Sequence, residues 1–273
     1  MRVIAALLVA ALPVRAASWA DAGPSDKVGI NLPVDVAVTS VGLAAFVVPE
    51  LLKGSLAPAA CVVCNPDLNG VDAGFHDALT GWLVPRKTAD TVSNVWAFAL
   101  LPLAAVGGAL AATGPHASDG AGFRAAVIVL ESAALSAASV QSLKFFVARA
   151  RPFAHYQHGD ASATYRLDDR DSHLSFPSGH TALATSLGVS LAMTASLEDS
   201  SAAPWLWGAA AAMAISTGAL RMIAEKHYFT DVAAGALLGA ASGVIVPLLH
   251  RRGSALGGQV SVTPSVVSFA IAM

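Results

Sequence analysis

Charge is what this sequence has least of. Only 12% of its 273 residues are Asp, Glu, Lys or Arg, against about 25% in an ordinary soluble domain. Disorder needs low hydrophobicity and high charge, so this composition excludes it as the general state of the chain. Charge of one sign is also missing. The formal net charge is −2, and no basic surface advertises a nucleic-acid partner. Two cysteines cannot build a disulfide-rich scaffold. There is no collagen-like glycine excess, no internal repeat and no phosphate-cradling Gly-x4-Gly-Lys loop. What is present is apolar: 55% of the residues are hydrophobic and the mean hydropathy is +0.61.

Residues 1–20 read as a signal peptide or N-terminal anchor. Arg2 is followed by the apolar run Val3 to Val14, then by the small residues Ala16, Ala17 and Ala20. Residues 21–252 read as one helical domain, and 253–273 as an extended or disordered tail. Six apolar segments lie between them: Asp35–Leu52, Thr91–Ser118, Ala125–Leu143, Thr181–Leu197, Ser200–Leu220 and Val232–His250. They are too long for strands and rich in Ala, so they predict an all-α bundle of about six helices. Several reach the ~20 residues of a membrane span. A membrane-embedded bundle is the leading reading, and a soluble protein of Ala-packed helices is the other. Residues 53–90 and 151–177 read as polar connectors.

The residues that carry chemistry sit at the ends of these segments. Lys144 and Arg151 are seven apart, two helical turns on one face, and Pro152 ends the helix. Two cations there could simply offset the C-terminal dipole. Pro177-Ser178-Gly179-His180 opens the next segment. Such a turn offers free N–H groups and a positive dipole end to an anion, with Ser178 as cap and Gly179 allowing close approach. His180 can exchange protons near neutrality. Arg221, His227 and Asp231 join the last two segments. The four-residue spacing lets Asp231 orient one imidazole nitrogen, although Asp231 would also serve as an N-cap. If the helices run antiparallel, all three clusters converge where helix ends meet. The set holds three cations, an anion-binding turn, two His and one Asp. It contains no carboxylate pair suited to Mg²⁺, so no metal is expected among these residues.

These residues resemble the type-2 phosphatidic acid phosphatase and vanadium haloperoxidase superfamily. Its K-x6-R-P motif reads here from Lys144 to Arg151-Pro152, its P-S-G-H as Pro177 to His180, and its S-R-x5-H-x3-D through Arg221, His227 and Asp231. One position departs: Leu220 stands where the family has Ser. The resemblance implies that His227 attacks phosphorus and that Asp231 holds its tautomer. His180 would protonate the leaving oxygen and then activate water. Lys144, Arg151, Arg221, Ser178 and the Gly179 N–H would bind the phosphate oxygens. The expected activity is that of a metal-independent phosphatase without a cofactor. It would act on phosphate monoesters or diphosphates, with a lipid phosphate such as phosphatidic acid, phosphatidylglycerol phosphate or an isoprenoid diphosphate as the leading expectation. A soluble periplasmic acid phosphatase of the same superfamily is the alternative. A vanadate-dependent haloperoxidase, with vanadate as its cofactor, is a more distant one, and a non-enzymatic membrane scaffold more distant still.

Cys61 and Cys64 form a C-x-x-C in the first connector, a pattern that can be redox-active, metal-binding or a plain disulfide; an exported chain favours the structural disulfide. His155, His158 and His173 are expected in a solvated loop over the pocket. The expected address is a bacterial-type envelope: an inner membrane with a periplasm-facing site, or the periplasm itself. Topology carries a conflict. A cleaved leader plus six spans puts the motif side in the cytoplasm, yet His250-Arg251-Arg252 at the last helix end favours a cytoplasmic C-terminus and an outward site. An uncleaved first helix, a first segment that does not span, or a soluble protein would each remove it. The sequence holds no signal of oligomeric state.

Overall fold

The computed structural model describes residues 27–64, 69–79, 84–111, 120–156, 169–252, 259–263 and 266–270. The leader at 1–20 and His158 lie outside the described residues. Seven helices of eight or more residues organise the described chain. They are α1 (Leu32–Leu51), α2 (Gly70–Leu79), α3 (Arg86–Ala111), α4 (Ala121–Val147), α5 (Gly179–Leu197), α6 (Ala203–Ile223) and α7 (Phe229–Leu249). Each of the six apolar segments carries a long helix within its described residues, Thr91–Ser118 being described only as far as Ala111, and the fold is an all-α bundle. Two differences concern the first connector. It contains α2, and α3 starts at Arg86, five residues before the apolar run begins. In the tail, β1 (Gln259–Thr263) and β2 (Val266–Ala270) pair antiparallel.

Local chemistry sets the helix ends. Pro33 stands in the first turn of α1, where its missing N–H costs nothing. The Asp35 carboxylate reaches back to accept from the Asn31 N–H at 2.8 Å. Ser178 caps α5. α6 stops at Ala224, after which Glu225 takes a left-handed φ of 54°. α7 starts from Tyr228, whose N–H donates to the Asp231 carboxylate at 2.9 Å. Asp231 is therefore not the N-cap residue but sits three positions inside the helix, closing the cap from the other side.

α1, α3, α4, α6 and α7 are long and apolar enough to cross a membrane. α5 is not among them, because it lies at the centre. It packs against α4, α6 and α7, and thirteen of its nineteen residues are buried. A helix shielded by its neighbours needs no lipid-compatible surface. α5 can therefore carry Ser and Thr, which bond back to their own carbonyls, as Thr185 does to Thr181 at 2.7 Å. Outer helices do the reverse and turn large apolar groups outward: Leu103 on α3, Ile215 on α6 and Leu237 on α7 are each more than 70% exposed.

Close helix approach depends on small residues. Gly235, Gly239 and Gly243 form a stripe down α7 at four-residue spacing. A Cβ at Gly235 would stand 2.4 Å from the Ser178 carbonyl oxygen, and one at Gly239 2.3 Å from that of Ala182. Both obstacles are backbone and cannot swing aside. Gly239→Val is expected to cost about 3 kcal/mol or more in unfolding free energy, by overpacking. Gly208→Ala, on a face of α6 where an added Cβ meets nothing within 4 Å, should be neutral or slightly stabilising. Thermal unfolding in detergent checks both.

Helix direction alternates along the chain. The C-terminal ends of α1, α4 and α6 and the N-terminal ends of α3, α5 and α7 gather at one end of the bundle. Residues 27–29 and 250–252 meet at the other, where Val28 bridges Arg251 and the Gly29 N–H donates to the His250 carbonyl at 2.9 Å.

Candidate active site

The three clusters expected to converge do so. The Ser178 N–H donates to the Asp231 carbonyl at 2.9 Å, which joins the start of α5 to the start of α7. A Cβ on Gly179 would lie 3.5 Å from Lys144 Nζ, so the end of α4 faces the same turn. Arg151 Nη1 lies 3.5 Å from His227 Nε2. Arg221, one turn from the end of α6, is buried. His180 and His227 both feel the charges of Lys144, Arg151 and Arg221.

His227 is 2% exposed, and its ring is fixed. Nδ1 lies 2.6 Å from the Ser175 carbonyl oxygen. A carbonyl only accepts, so Nδ1 carries the proton and Nε2 is left with the lone pair. The sequence assigned this orienting contact to Asp231. The structure gives it to Ser175: the nearest Asp231 oxygen is 3.9 Å from Nδ1, beyond hydrogen-bond range. Asp231 acts one step back. It accepts from Ser175 Oγ at 2.5 Å and thereby holds the residue whose carbonyl holds His227. The reason is geometric. Asp231 is spent on the cap of α7, and buried Ser175 stands between it and the ring, bonded to both.

Burial pushes the His227 pKa well below its ordinary value, and the charges of Arg151, Arg221 and Lys144 push the same way, against the Ser175 carbonyl. Burial does the same to His180, with Arg221, His227, Lys144 and Arg151 adding to it. His180 Nε2 lies 2.7 Å from Asn94 Oδ1 on α3, an acceptor, so Nδ1 holds the lone pair of the neutral ring.

The cations are held in turn. Arg151 donates through Nε to the Asp171 carbonyl at 2.7 Å and through Nη1 to the Lys226 carbonyl at 2.9 Å. Burial raises the Asp171 carboxyl, but Arg151, Lys53, Lys144 and Lys226 outweigh it and keep Asp171 far below the usual carboxylate range. Arg221 donates through Nη1 to Asp90 Oδ1 at 2.7 Å and to Ser93 Oγ at 2.9 Å. Burial and the neighbouring Arg151 push Lys226 down to about 8.

Behind this layer lies a group that sequence reasoning missed. Arg149 is 7% exposed and forks between two acids: Nη1 to Asp231 Oδ1 at 2.6 Å, Nη2 to Asp72 Oδ2 at 2.8 Å. Asp72, on α2, also accepts from the Thr230 N–H at 2.9 Å and from Asn69 Nδ2 at 2.7 Å. Burial raises its carboxyl, and the bonds from Arg149 and Thr230 more than reverse that. Phe75 of α2 stacks on Phe229 at 4.1 Å. The Cys61–Cys64 disulfide is formed. Its loop pairs with the end of α4, Ala150 N–H donating to the Val63 carbonyl at 3.1 Å. The described parts of the second connector, residues 151–156 and 169–177, are more buried than the solvated loop expected: Ser172, Leu174 and Ser175 are buried, and His155 and His173 are half-buried.

Residues 125–254 match the family model described as the PAP2 superfamily. That part of the chain belongs to the PAP2 superfamily. No curated protein and no solved structure matches the chain closely enough to count as a relative. The PAP2 region covers Lys144 through Asp231 and every motif residue. It places the chemistry in phosphoester hydrolysis. α1, α2 and α3, which supply Glu50, Asp72, Asp90 and Asn94 around the PAP2 site, lie before the matched residues.

Proposed function

We propose that the chain is a metal-independent phosphatase that cleaves a phosphate monoester or diphosphate of a lipid through a phosphohistidine on His227. The observation that carries the mechanism is the Nδ1 contact to the Ser175 carbonyl, which leaves Nε2 as a lone pair beside Arg151. In the first step Nε2 attacks phosphorus, the bond from phosphorus to the leaving oxygen breaks, and imidazolium His180 gives that oxygen a proton. In the second, neutral His180 takes a proton from water, the hydroxide attacks phosphorus, and the P–N bond breaks to release phosphate. Lys144, Arg151, Arg221, Ser178 and the Gly179 N–H bind the non-bridging oxygens, where preorganised donors are worth about 3–4 kcal/mol each. Burial first, and then these three cations, hold the His180 pKa down, and a bound phosphate dianion offsets the cations. Substrate binding thus supplies the charge that lets His180 hold its proton.

The lipid assignment rests on the outward apolar faces of α3, α6 and α7 and on five helices of spanning length. An aqueous phosphatase has no use for such a surface. An outward-facing site fits the disulfide, formed against the active end, and the pair Arg251-Arg252 at the opposite end.

The test is phosphate release by detergent-purified protein from phosphatidic acid and from a leaving-group series of aryl phosphates, with chelator present. Turnover unaffected by chelator and faster on the lipid is expected. His180→Ala should lose most with poor leaving groups and least with good ones. Chelator-abolished turnover, or a His180→Ala loss independent of the leaving group, would sink the respective part of the mechanism.

A further inference from the structure

At the end of the bundle opposite the active site, three buried side chains, two from helices and one from the residue that caps a third, point at one spot. Asp35 opens α1, His250 immediately follows α7, and Glu131 lies inside α4. Lys144 is thirteen residues further along α4, about 20 Å by helical rise, so the cluster is separate from the phosphate site. The geometry points to a structural site for a divalent transition-metal cation of the zinc class, ligated by Asp35 Oδ1, Glu131 Oε2 and His250 Nε2.

Three observations carry this. The first is spacing. His250 Nε2 stands 3.4 Å from Asp35 Oδ1 and 3.5 Å from Glu131 Oε2, and all three atoms lie within 4.8 Å of one another. These separations sit at or beyond the limit of good hydrogen bonds. They match the ~3.4 Å edge of a tetrahedron built on metal–ligand bonds of about 2.0–2.2 Å.

The second is the outer shell. His250 Nδ1 lies 2.8 Å from the Val246 carbonyl oxygen, so that nitrogen must donate and Nε2 is presented as a lone pair. The Asp35 carboxylate is steadied from behind by the Asn31 N–H at 2.8 Å. A ligating imidazole whose second N–H meets a carbonyl, and a ligating carboxylate that is itself hydrogen-bonded, are the usual supports of a metal centre.

The third is what the cluster leaves unsatisfied. Glu131 is 7% exposed, and its Oε2, the atom facing His250, has no hydrogen-bond partner. Asn31 Oδ1, in the turn that steadies Asp35, is another buried acceptor without one. Two carboxylates share one imidazole here. A proton on His250 balances one negative charge, whereas a divalent ion on the neutral ring balances both, which matters where charge is screened poorly. Imidazole with carboxylate suits zinc-class ions better than Mg²⁺ or Ca²⁺, which take all-oxygen shells. Such an ion would tie the start of α1 and the end of α7 to the middle of α4. Its role would be to close the bundle, with no part in phosphate chemistry.

The experiment uses the full chain in detergent. The protein is loaded with Zn²⁺, freed of excess by gel filtration and measured for bound metal, and its unfolding temperature is followed with Zn²⁺ and after chelation. About one ion per chain is expected, with a lower unfolding temperature once it is removed. Glu131→Gln should retain at least about tenfold less metal, by analogy with the effect of losing even an outer-shell support, and should show no Zn²⁺-dependent stabilisation. Its phosphatase turnover at a permissive temperature should stay that of the wild type. Asp35→Asn repeats the measurement should Glu131→Gln fail to fold. Wild-type protein that retains no metal and unfolds alike with Zn²⁺ and chelator would overturn the site, leaving a proton-bridged cluster. Equal metal retention by wild type and both variants would overturn it as well.

Discussion

Replacing His227 with glutamine should abolish turnover while leaving the protein folded. The loss expected is about 10⁴-fold or more in kcat, the scale on which removal of a nucleophile acting with its base shows itself. Residual rate, if any, would come from Lys144, Arg151 and Arg221 still holding the phosphate. Glutamine keeps most of the buried volume, and its amide can still meet the Ser175 carbonyl, so unfolding temperature should move little. Wild-type turnover in this variant would remove His227 from the chemistry altogether. The wild type offers a second readout of the same idea. His227 must be neutral to attack, and burial together with Arg151, Arg221 and Lys144 holds its pKa well below 6.5. Activity should therefore survive acidification past the ordinary histidine range and fall only as pH drops through that depressed value. An acid limb of kcat/KM centred at or above pH 6.5 would contradict a buried, cation-flanked nucleophile.

What the sequence reveals of this site is what is local in it. Lys144 to Arg151, Pro177 to His180 and Arg221 to Asp231 are short patterns at helix ends, where dipoles and caps give each residue type a reason to stand. Their supports are not local. Arg149 meets Asp72 across 77 residues, Arg221 meets Asp90 across 131, and His180 meets Asn94 across 86. No spacing rule links such pairs. One signal was nonetheless present: Asp90, Ser93 and Asn94 fall at i, i+3 and i+4, a polar stripe near the start of a helix whose later turns are apolar. A stripe of that kind on a spanning segment has to face something polar. Hydropathy ranks α5 below the other long helices for a related reason. It scores a helix as if lipid surrounded it, and α5 is surrounded by protein. The exchange of roles between Asp231 and Ser175 depends on the path of residues 172–178, which tertiary packing alone decides.

Arg149 is the position where loss of a group held behind the phosphate-binding cations should matter most. It is buried between Asp72, 1% exposed, and Asp231, wholly buried. Arg149→Met keeps length and apolar bulk but leaves two carboxylates without their shared cation. Breaking a buried ion pair from one side costs about 3–5 kcal/mol, because the remaining charge is uncompensated. Unfolding temperature should fall accordingly. Adding Asp72→Asn removes one of the stranded charges, so the double variant should recover part of the stability lost by Arg149→Met alone. Turnover should not recover with it. Asp231 remains without Arg149, its grip on Ser175 Oγ is loosened, and the Ser175 carbonyl no longer fixes the His227 ring. Since both terminal nitrogens of Arg149 are engaged by Asp231, Thr230 and Asp72, the defect belongs in kcat, with KM nearly unchanged. A purely structural role would predict the opposite pairing: activity of the folded fraction restored in step with stability. Stability that returns while kcat stays low would identify Arg149 as a positioning residue for the nucleophile. It would also extend the functional site to α2, which lies before the PAP2 region.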